Sequence, residues 1–379
     1  MKFGDDLRIK TVTSWFPPDR ENVEDAVAAG KLTDADAERL GVSHLPVSAA
    51  LSAPEMAAQA GRAAIGRAGW SPSDVGLVLH TWIYHQGHDM WSPPHYVANA
   101  VGAGHATPYG VQQGCNAGAL ALQLAAMHLD TDAGLGAVLV TTGDRFCPPG
   151  MDRWTSDYGL GFGDAGTAAL VHRGGAEPDD YALLSLATAT DAQFELMMRH
   201  GNDFSPAPMW HDGFIDLRTP KKSYLAEYGK TKFETVAGRN IRKVIADSLH
   251  DAGLQPDDPR IKYIALPRLG ANLLDSIYGP VINELLKAEA LRFGATTGHL
   301  GCGDFLANLA DMRDRVPLQP GDVALVISGG AAWTWACAVV QVPQEPQVSP
   351  EPQVSQEPQE PQISQEPQEP QGQAPAREA

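Results

Sequence analysis

The stretch 113–129, QGCNAGALALQLAAMHL, decides the fold, because it joins a glycine-flanked cysteine to a helical run that is apolar on nearly every side. A helix of that kind is buried on both faces and not along a single stripe. Strand-like and helix-like patterns alternate before and after it, which indicates an α/β architecture built in layers. We therefore expect residues 116–129 to form a helix inside an α/β sandwich.

The neighbouring elements follow from hydrophobic periodicity and from helix end signals. Ser52 and Glu55 have the spacing of a capping box that opens a helix through Arg67, and Gly69 stops that helix. Short apolar runs predict buried strands, and one-sided apolar stripes predict helices. The predicted strands are 74–79, 136–142, 167–172, 261–266, 322–327 and 334–340, and the further predicted helices are 233–249, 273–286 and 305–315.

The composition limits the class of protein. The chain has 379 residues, 43% of them hydrophobic, and a formal charge of −18. That length supports a sizeable core, and the charge disfavours nucleic acid or an anionic membrane as partner. The start of the chain has no apolar core of signal-peptide length, and the cysteines form no CxxC pair. We expect a reduced, soluble, cytoplasmic protein with four free cysteines, at positions 115, 147, 302 and 337.

Two segments near the end of the chain need separate interpretation. The uncharged stretch 323–342 has the length of a membrane span, but the Gly329-Gly330 pair favours two buried strands joined by a turn. Residues 342–379 consist of Glu-Pro-Gln repeats without aromatic residues. Regular prolines prevent helix and sheet, so we predict a disordered tail there, either an inert solubilising segment or an interaction segment.

Two motifs suggest a cofactor or a metal but lack the necessary context. The segment 161–166 reads GFGDAG, which matches GxGxxG, yet a strand is predicted after it, where a dinucleotide site needs a helix. His85 and His88 have no cysteine or glutamate at ligand spacing. We expect no bound cofactor and no metal site.

Cys115 is the strongest candidate for chemistry. A thiol at a helix N-terminus lies at the positive end of the helix dipole, which favours the thiolate. Free backbone N–H groups at the same place can stabilise an oxyanion. Gly114 and the small residues that follow Cys115 leave room for a bulky thioester. The alternative is a small buried structural cysteine.

The second candidate lies in 298–305, GHLGCGDF, where three glycines allow a close chain approach. Asp304 opens the following helix and can hold the imidazole of His299 in one tautomer. The alternative is that Asp304 only caps the helix and that His299 is an ordinary loop residue. Cys302, in the same turn, is interpreted as structural.

Together these segments resemble the thiolase superfamily, and specifically β-ketoacyl-acyl carrier protein synthase III. The resemblance spans about residues 5–341 and implies a duplicated α-β-α-β-α layered sandwich that forms a homodimer. Residues 1–175 would form the half with the nucleophile and 176–341 the half with the His/Asp turn. The resemblance is carried by Cys115 with its helix, by 163–169 (GDAGTAA), by the turn around His299, by 321–335 (GDVALVISGGAAWTW), by 41–44 (GVSH) and by 68–74 (AGWSPSD).

The sequence departs from that family at two catalytic positions. Family members use a Cys-His-Asn triad, whose histidine and asparagine stabilise the enolate formed by decarboxylation of malonyl-carrier protein. Here the histidine segment reads 267–272, PRLGAN, without a histidine, and the asparagine turn reads 298–301, GHLG. This pattern resembles a divergent acyltransferase branch of the family from antibiotic biosynthesis.

The resemblance implies roles for specific residues. Cys115 would attack an acyl thioester, His299 would take the proton of an acceptor, and Asp304 would orient His299. Backbone N–H groups of Cys115 and Gly330 would form the oxyanion hole. Further candidate pocket residues are Asn272 and His200, and the alternative for His200 is a solvent-exposed loop histidine. The loops 148–158 and 201–219 are candidate pocket walls.

Three functions remain open from the sequence. The leading hypothesis is an acyltransferase that moves an acyl group from coenzyme A or an acyl carrier protein to a hydroxyl or amine of a small secondary metabolite. The second is a condensing enzyme that supplies a polyketide starter unit, and the third is an inactive scaffold homologue. The missing histidine at position 268 favours the first over the second.

Overall fold

The computed structural model describes residues 1–4, 6–174, 178–208, 213–330, 333–344 and 372. The strands of this part are β1 (Leu7–Trp15), β2 (Asp19–Asn22), β3 (His44–Val47), β4 (Val75–Thr81), β5 (Thr107–Val111), β6 (Ala137–Asp144), β7 (Ala165–Arg173), β8 (Tyr181–Thr190), β9 (Ile261–Ala265), β10 (Glu289–Leu291), β11 (Val323–Gly330) and β12 (Thr334–Gln341). The α-helices are α1 (Val23–Ala28), α2 (Asp34–Leu40), α3 (Ala53–Ala68), α4 (Pro93–Ala100), α5 (Ala117–Thr131), α6 (Arg218–Tyr228), α7 (Lys230–Asp251), α8 (Ala271–Leu273), α9 (Gly279–Leu285) and α10 (Asp304–Arg315).

A mixed sheet of ten strands connects the described elements in the order β10-β9-β11-β12-β8-β1-β7-β6-β4-β5. Strands from the first part of the chain lie on one side of the β1–β8 junction, and strands from the second part lie on the other. That junction is short, since β1 pairs with β8 only at residues 8–9 and 181–182. The expected division into 1–175 and 176–341 falls at residues 175–177, which lie outside the described part, and it stays a prediction.

The helices form three layers around the two parts of the sheet. Helices α5 and α10 share one buried core with side chains from β4, β6, β7, β8, β11 and β12. Helices α3 and α4 cover the other face of β4, β6 and β7, while α7 and α9 cover the other face of β8, β11 and β12. This arrangement confirms the layered α/β sandwich, and α5 in its middle explains why its sequence is apolar all round.

The predicted element boundaries are largely confirmed. Helix α3 begins after a capping box in which the Ser52 amide donates to Glu55 Oε2 at 2.7 Å. It ends at Gly69, whose φ of 68° lies in the left-handed region that glycine tolerates. The GxGxxG-like segment leads into strand β7, as expected for a glycine turn, and a Cβ at Gly163 would lie 2.1 Å from the Thr297 carbonyl oxygen.

The prediction that residues 273–286 are mostly helical is confirmed, but the helix is irregular. The structure has the short α8, a π-helical turn over Leu274–Tyr278, and then α9. Pro280 stands at the start of α9 and has no amide N–H to donate to the preceding turn. The backbone hydrogen bonds of one regular α-helix therefore do not continue through this segment.

The segments near the C-terminus have different outcomes. The uncharged stretch 323–342 forms the antiparallel strands β11 and β12, as predicted. None of the described helices is long and apolar enough to cross a membrane. Positions 345–371 and 373–379 of the predicted disordered tail lie outside the described residues.

Candidate active site

Cys115 lies immediately before α5, and glycine residues let two other segments approach it closely. A Cβ at Gly118 would be 2.5 Å from the Cys302 carbonyl oxygen, and a Cβ at Gly330 would be 3.0 Å from the backbone nitrogen of Cys115. Asn116 accepts a hydrogen bond from the Ser328 hydroxyl, which ties the start of α5 to β11. Small residues around Cys115 therefore bring the end of β11 and the turn before α10 against the thiol.

The structure brings the three predicted catalytic residues together. His299 Nε2 lies 3.0 Å from Cys115 Sγ, and His299 Nδ1 lies 2.7 Å from Asp304 Oδ2. Asp304 also accepts hydrogen bonds from the amides of Leu300 at 2.8 Å and Arg268 at 2.9 Å. Asp304 is not the N-cap residue of α10, because that position is Gly303, and α10 has no side-chain capping hydrogen bond. Asp304 thus holds the imidazole and its turn.

The electrostatics of this group favour a charged imidazole. Burial by itself would lower the pKa of His299, but the charges of Asp304 and Cys115 outweigh it and raise that pKa well above its ordinary value. Burial likewise opposes ionisation of Asp304, yet the charges of His299 and Arg268 keep its pKa below the ordinary value. The arrangement supports an imidazolium that is paired with the Asp304 carboxylate and lies beside Cys115 Sγ.

Arg268, which stands where the family has a histidine, is turned away from the reacting groups. Its guanidinium donates to Asn308 Oδ1 at 3.0 Å and to Thr297 Oγ1 at 2.9 Å, and it forms an ion pair with Asp311. The side chain is buried and does not line the cavity described below. Arg268 therefore supports the turn that carries His299 without reaching a substrate.

Sequence reasoning missed Asp144 at the end of β6. Its fully buried carboxylate accepts hydrogen bonds from the amides of Ile83 at 2.9 Å, Tyr84 at 3.0 Å and Cys302 at 3.1 Å. Burial raises the pKa of Asp144 to about 7. Gly301 makes the contact possible, because a Cβ there would lie 2.2 Å from Asp144 Oδ2. A carboxyl group in an apparently apolar strand was the available signal.

A cavity of about 550 Å³ opens over Cys115 and His299. Its walls are mainly apolar and come from both predicted loops as well as from α6, α7 and the segment 269–278. The lining side chains include Ile83, Tyr84, Phe146, Met151, Leu160, Phe162, Met197, Met198, Ile215, Leu217, Leu225, Phe233, Leu269, Leu273, Ile277, Trp333 and Trp335. The cavity suits a hydrophobic acyl group.

The remaining predicted site residues have mixed outcomes. Asn272 and Gly330 line the cavity. His200 does not: its Nε2 lies 3.1 Å from Glu227 Oε2, and its ring packs edge-on against Tyr224. Cys302 is buried, and its Sγ donates to the Gly114 carbonyl at 3.3 Å. The described residues contain no cluster of three His, Cys, Asp or Glu suited to a metal.

Comparison with known proteins shows which proteins this chain resembles. The protein-family model of 3-oxoacyl-acyl-carrier-protein (ACP) synthase III matches residues 109–192, which include Cys115. The structure of the ChlB3 acyltransferase superposes with a TM-score of 0.81 at 28% sequence identity, covering 89% of this chain and 98% of that one. The chain has a thiolase-like fold. Its sequence is similar to the 3-oxoacyl-acyl-carrier-protein synthases III.

More distant relatives show the same likeness. The mycobacterial β-ketoacyl-acyl-carrier-protein synthase III of Mycobacterium avium (strain 104) is 24% identical over 294 residues, which cover 77% of this chain and 82% of the relative. That of Mycobacterium tuberculosis (strain H37Rv) is 25% identical over 302 residues with the same coverage. The 3-oxoacyl-acyl-carrier-protein synthase III of Aquifex aeolicus VF5 shares the fold, with a TM-score of 0.71 at 18% identity, over 88% of this chain and 99% of that one.

Proposed function

We propose that this chain is an acyltransferase that moves an acyl group from a coenzyme A or carrier-protein thioester to a hydroxyl or amine of a small molecule, through a thioester on Cys115. The observation that carries the proposal is the position of His299 between Cys115 Sγ at 3.0 Å and Asp304 Oδ2 at 2.7 Å. A nucleophile, a base and a group that orients the base are the parts that acyl transfer needs.

In the first half-reaction, the Cys115 thiolate attacks the carbonyl carbon of the donor thioester. The bond between that carbon and the donor sulfur breaks, and the imidazolium of His299 gives its Nε2 proton to the leaving thiolate. The products are an acylated Cys115, a free donor thiol and a neutral His299. Asp304 keeps Nδ1 protonated throughout, since its carboxylate accepts from that atom.

In the second half-reaction, His299 Nε2 accepts the proton of the acceptor hydroxyl or amine as the acceptor oxygen or nitrogen attacks the acyl carbon. The bond to Cys115 Sγ breaks, and the product ester or amide leaves. The enzyme returns to the thiolate and imidazolium with which it began. The developing oxyanion would be held by the backbone N–H groups of Cys115 and Gly330, and the close approach of these two residues supports that role.

The surroundings of His299 favour transfer to a heteroatom over decarboxylative condensation. An enolate intermediate needs two polar groups that converge on its oxygen, which the related synthases supply as histidine and asparagine. Here Arg268 occupies the position of that histidine, and its guanidinium is hydrogen-bonded to Asn308 and Thr297. His299 is the one histidine among the described residues that line the cavity. The homodimeric state and the role in antibiotic biosynthesis belong to the same proposal and rest on the resemblance.

Intact-protein mass spectrometry tests the proposal. Wild type and Cys115→Ala are incubated with acetyl-, propionyl-, malonyl- and methylmalonyl-coenzyme A, and then with the corresponding carrier-protein thioesters. We expect an adduct of unchanged acyl composition on wild type and none on Cys115→Ala. His299→Ala, incubated in parallel, should acquire the same adduct more slowly, and hydroxylamine should then remove it faster from wild type than from His299→Ala. Decarboxylation of malonyl donors together with a new carbon–carbon bond would establish condensation instead, and no adduct from any donor would support a scaffold.

A further inference from the structure

The cavity contains an ion pair that the proposed chemistry does not use. Lys221 Nζ lies 2.6 Å from Asp157 Oδ1 and 2.5 Å from Asp157 Oδ2, and both residues line the cavity. The side chain of Asp157 is 2% exposed and that of Lys221 is 14% exposed. The pair is therefore largely removed from water within walls that are mainly apolar.

The position of Lys221 on its helix makes this pair unusual. Leu217 is the N-cap residue of α6, and Lys221 and Leu225 follow it at intervals of four residues. The three residues therefore lie on one side of the helix, and all of them line the cavity. A lysine in the middle of an apolar helix face must be desolvated, and replacing a buried ion pair with apolar residues is often neutral or stabilising. Stability alone thus gives no reason for a charged pair here.

The hydrogen-bond inventory of the pair indicates what it can bind. Asp157 accepts hydrogen bonds from two of the three N–H groups of the Lys221 ammonium, and the Tyr158 amide donates to Asp157 Oδ1 at 2.7 Å. One N–H group of Lys221 and one lone pair of Asp157 Oδ2 therefore remain for hydrogen bonds to a ligand. A hydroxyl group, which donates and accepts at once, satisfies both. A carboxylate satisfies only the donor and would lie beside the charge of Asp157.

We infer that Lys221 and Asp157 form a polar subsite that binds a hydroxyl group on an otherwise hydrophobic occupant of the cavity. The inference rests on the proposed function in taking that occupant to be the acyl chain or the acceptor. It predicts that the cavity selects a hydroxylated occupant over the plain analogue and over the analogue ending in a carboxylate. Trp333 adds a second polar point to the wall, since its buried Nε1–H has no acceptor among the described residues.

Binding to the Cys115→Ala variant tests the inference without requiring turnover. The probes are N-acetylcysteamine thioesters of four, six and eight carbons whose chains end in a methyl, a hydroxyl or a carboxylate. A second arm compares 1-alkanols with α,ω-diols of the same lengths and so separates an acyl occupant from an acceptor. At one length or more, we expect the hydroxylated probe to bind about ten-fold more tightly than the methyl probe, as for hydrogen bonds to charged groups.

Variants of the pair make the assignment specific. Asp157→Leu combined with Lys221→Met should abolish the hydroxyl preference while the apolar replacement keeps the fold. Asp157→Asn should shift the preference toward the carboxylate probe, because Lys221 then has no anionic partner. Lys222→Met, an exposed neighbour on α6, is the matched control and should leave the preference intact.

The outcomes separate this inference from the proposed function. No hydroxyl preference in either arm, or a preference that survives the double substitution, would overturn the subsite. A pair-dependent preference in a protein whose Cys115 is never acylated would uphold the subsite and reject the acyltransferase. Acylation of Cys115 without any hydroxyl preference would uphold the acyltransferase and reject the subsite.

Discussion

His299 Nε2 lies 3.0 Å from Cys115 Sγ, although 184 residues separate the two along the chain. The contact joins the start of α5 to the turn before α10, and these two helices pack together in the middle layer of the sandwich. The relative position of thiol and imidazole is therefore held by the same close packing that holds the core.

Removing the imidazole should slow both half-reactions. We expect His299→Ala to lower the rate of Cys115 acylation by about 10²–10⁴, the usual contribution of a positioned acid–base group. Asp304→Asn should lower it less, because an amide still accepts one hydrogen bond but no longer stabilises the imidazolium. Timed mass spectrometry measures both rates, and near-ultraviolet circular dichroism checks the fold. Equal rates in wild type and His299→Ala would contradict the assigned role.

The pH dependence of Cys115 alkylation should report the raised pKa of His299. An imidazolium that persists above the ordinary histidine pKa of about 6.5 keeps a positive charge 3.0 Å from Cys115 Sγ over that range. Iodoacetamide should therefore react with wild type at a nearly constant rate from about pH 6 to about pH 8. In His299→Ala the rate should rise steadily with pH, as for an unassisted thiol. Parallel profiles for the two proteins would argue against an ion pair.

Gly118→Ala should damage the site from within α5. The new Cβ would lie 2.5 Å from the Cys302 carbonyl oxygen, so the turn that carries His299 has to shift. We expect acylation to fall at least about ten-fold, since small misplacements of reacting groups are costly. Gly66→Ala in α3 is the control, because its Cβ meets nothing within 4 Å and should stabilise the helix by about 0.5–1 kcal/mol. Unchanged acylation in Gly118→Ala would show that the turn has room to move.

Asp144 should make stability depend on pH. Its pKa of about 7 lies above that of an unfolded aspartate, so the folded state binds the proton more tightly. The resulting stabilisation is present below the unfolded pKa of about 3.9 and is lost as pH rises to about 7. Thermal unfolding from about pH 4 to about pH 7 should show this loss in wild type and a smaller one in Asp144→Asn. The exposed Asp132→Asn should follow wild type.

Arg268 should matter for stability. Arg268→Met leaves Asp311 and the buried Asn308 and Thr297 without their guanidinium partner. We expect a loss of about 3 kcal/mol in the free energy of unfolding, as for other broken buried pairs. Arg260→Met, which removes the largely exposed pair with Asp258, should cost less than about 1 kcal/mol. Urea denaturation compares the two, and similar losses would contradict the structural role of Arg268.

Much of the site was predictable because its signals are local. The glycine-flanked Cys115 ahead of an apolar helix, and the five-residue spacing of His299 and Asp304, are visible in the sequence. The expected approach of Gly330 to Cys115 agrees with the structure. Each of these depends on residues that are close along the chain or on the resemblance to a family.

What was missed depends on contacts between distant segments. Asp144 meets the turn of Cys302 across 158 residues, and Lys221 meets Asp157 across 64. His200 was an expected pocket residue, but its partner Glu227 and the ring of Tyr224 hold it outside the cavity wall. No local pattern distinguishes such buried polar contacts from ordinary surface charges.

The sequence by itself determined the layered α/β class, many of the helices and strands and the candidate nucleophile Cys115, because periodicity, helix caps and glycine turns act over a few residues. Tertiary structure alone decided that His299 reaches Cys115, that Arg268 turns away and that Lys221 meets Asp157 inside the cavity. Those contacts form only when the two parts of the sheet close around α5 and α10, since burial then determines which polar groups must find partners.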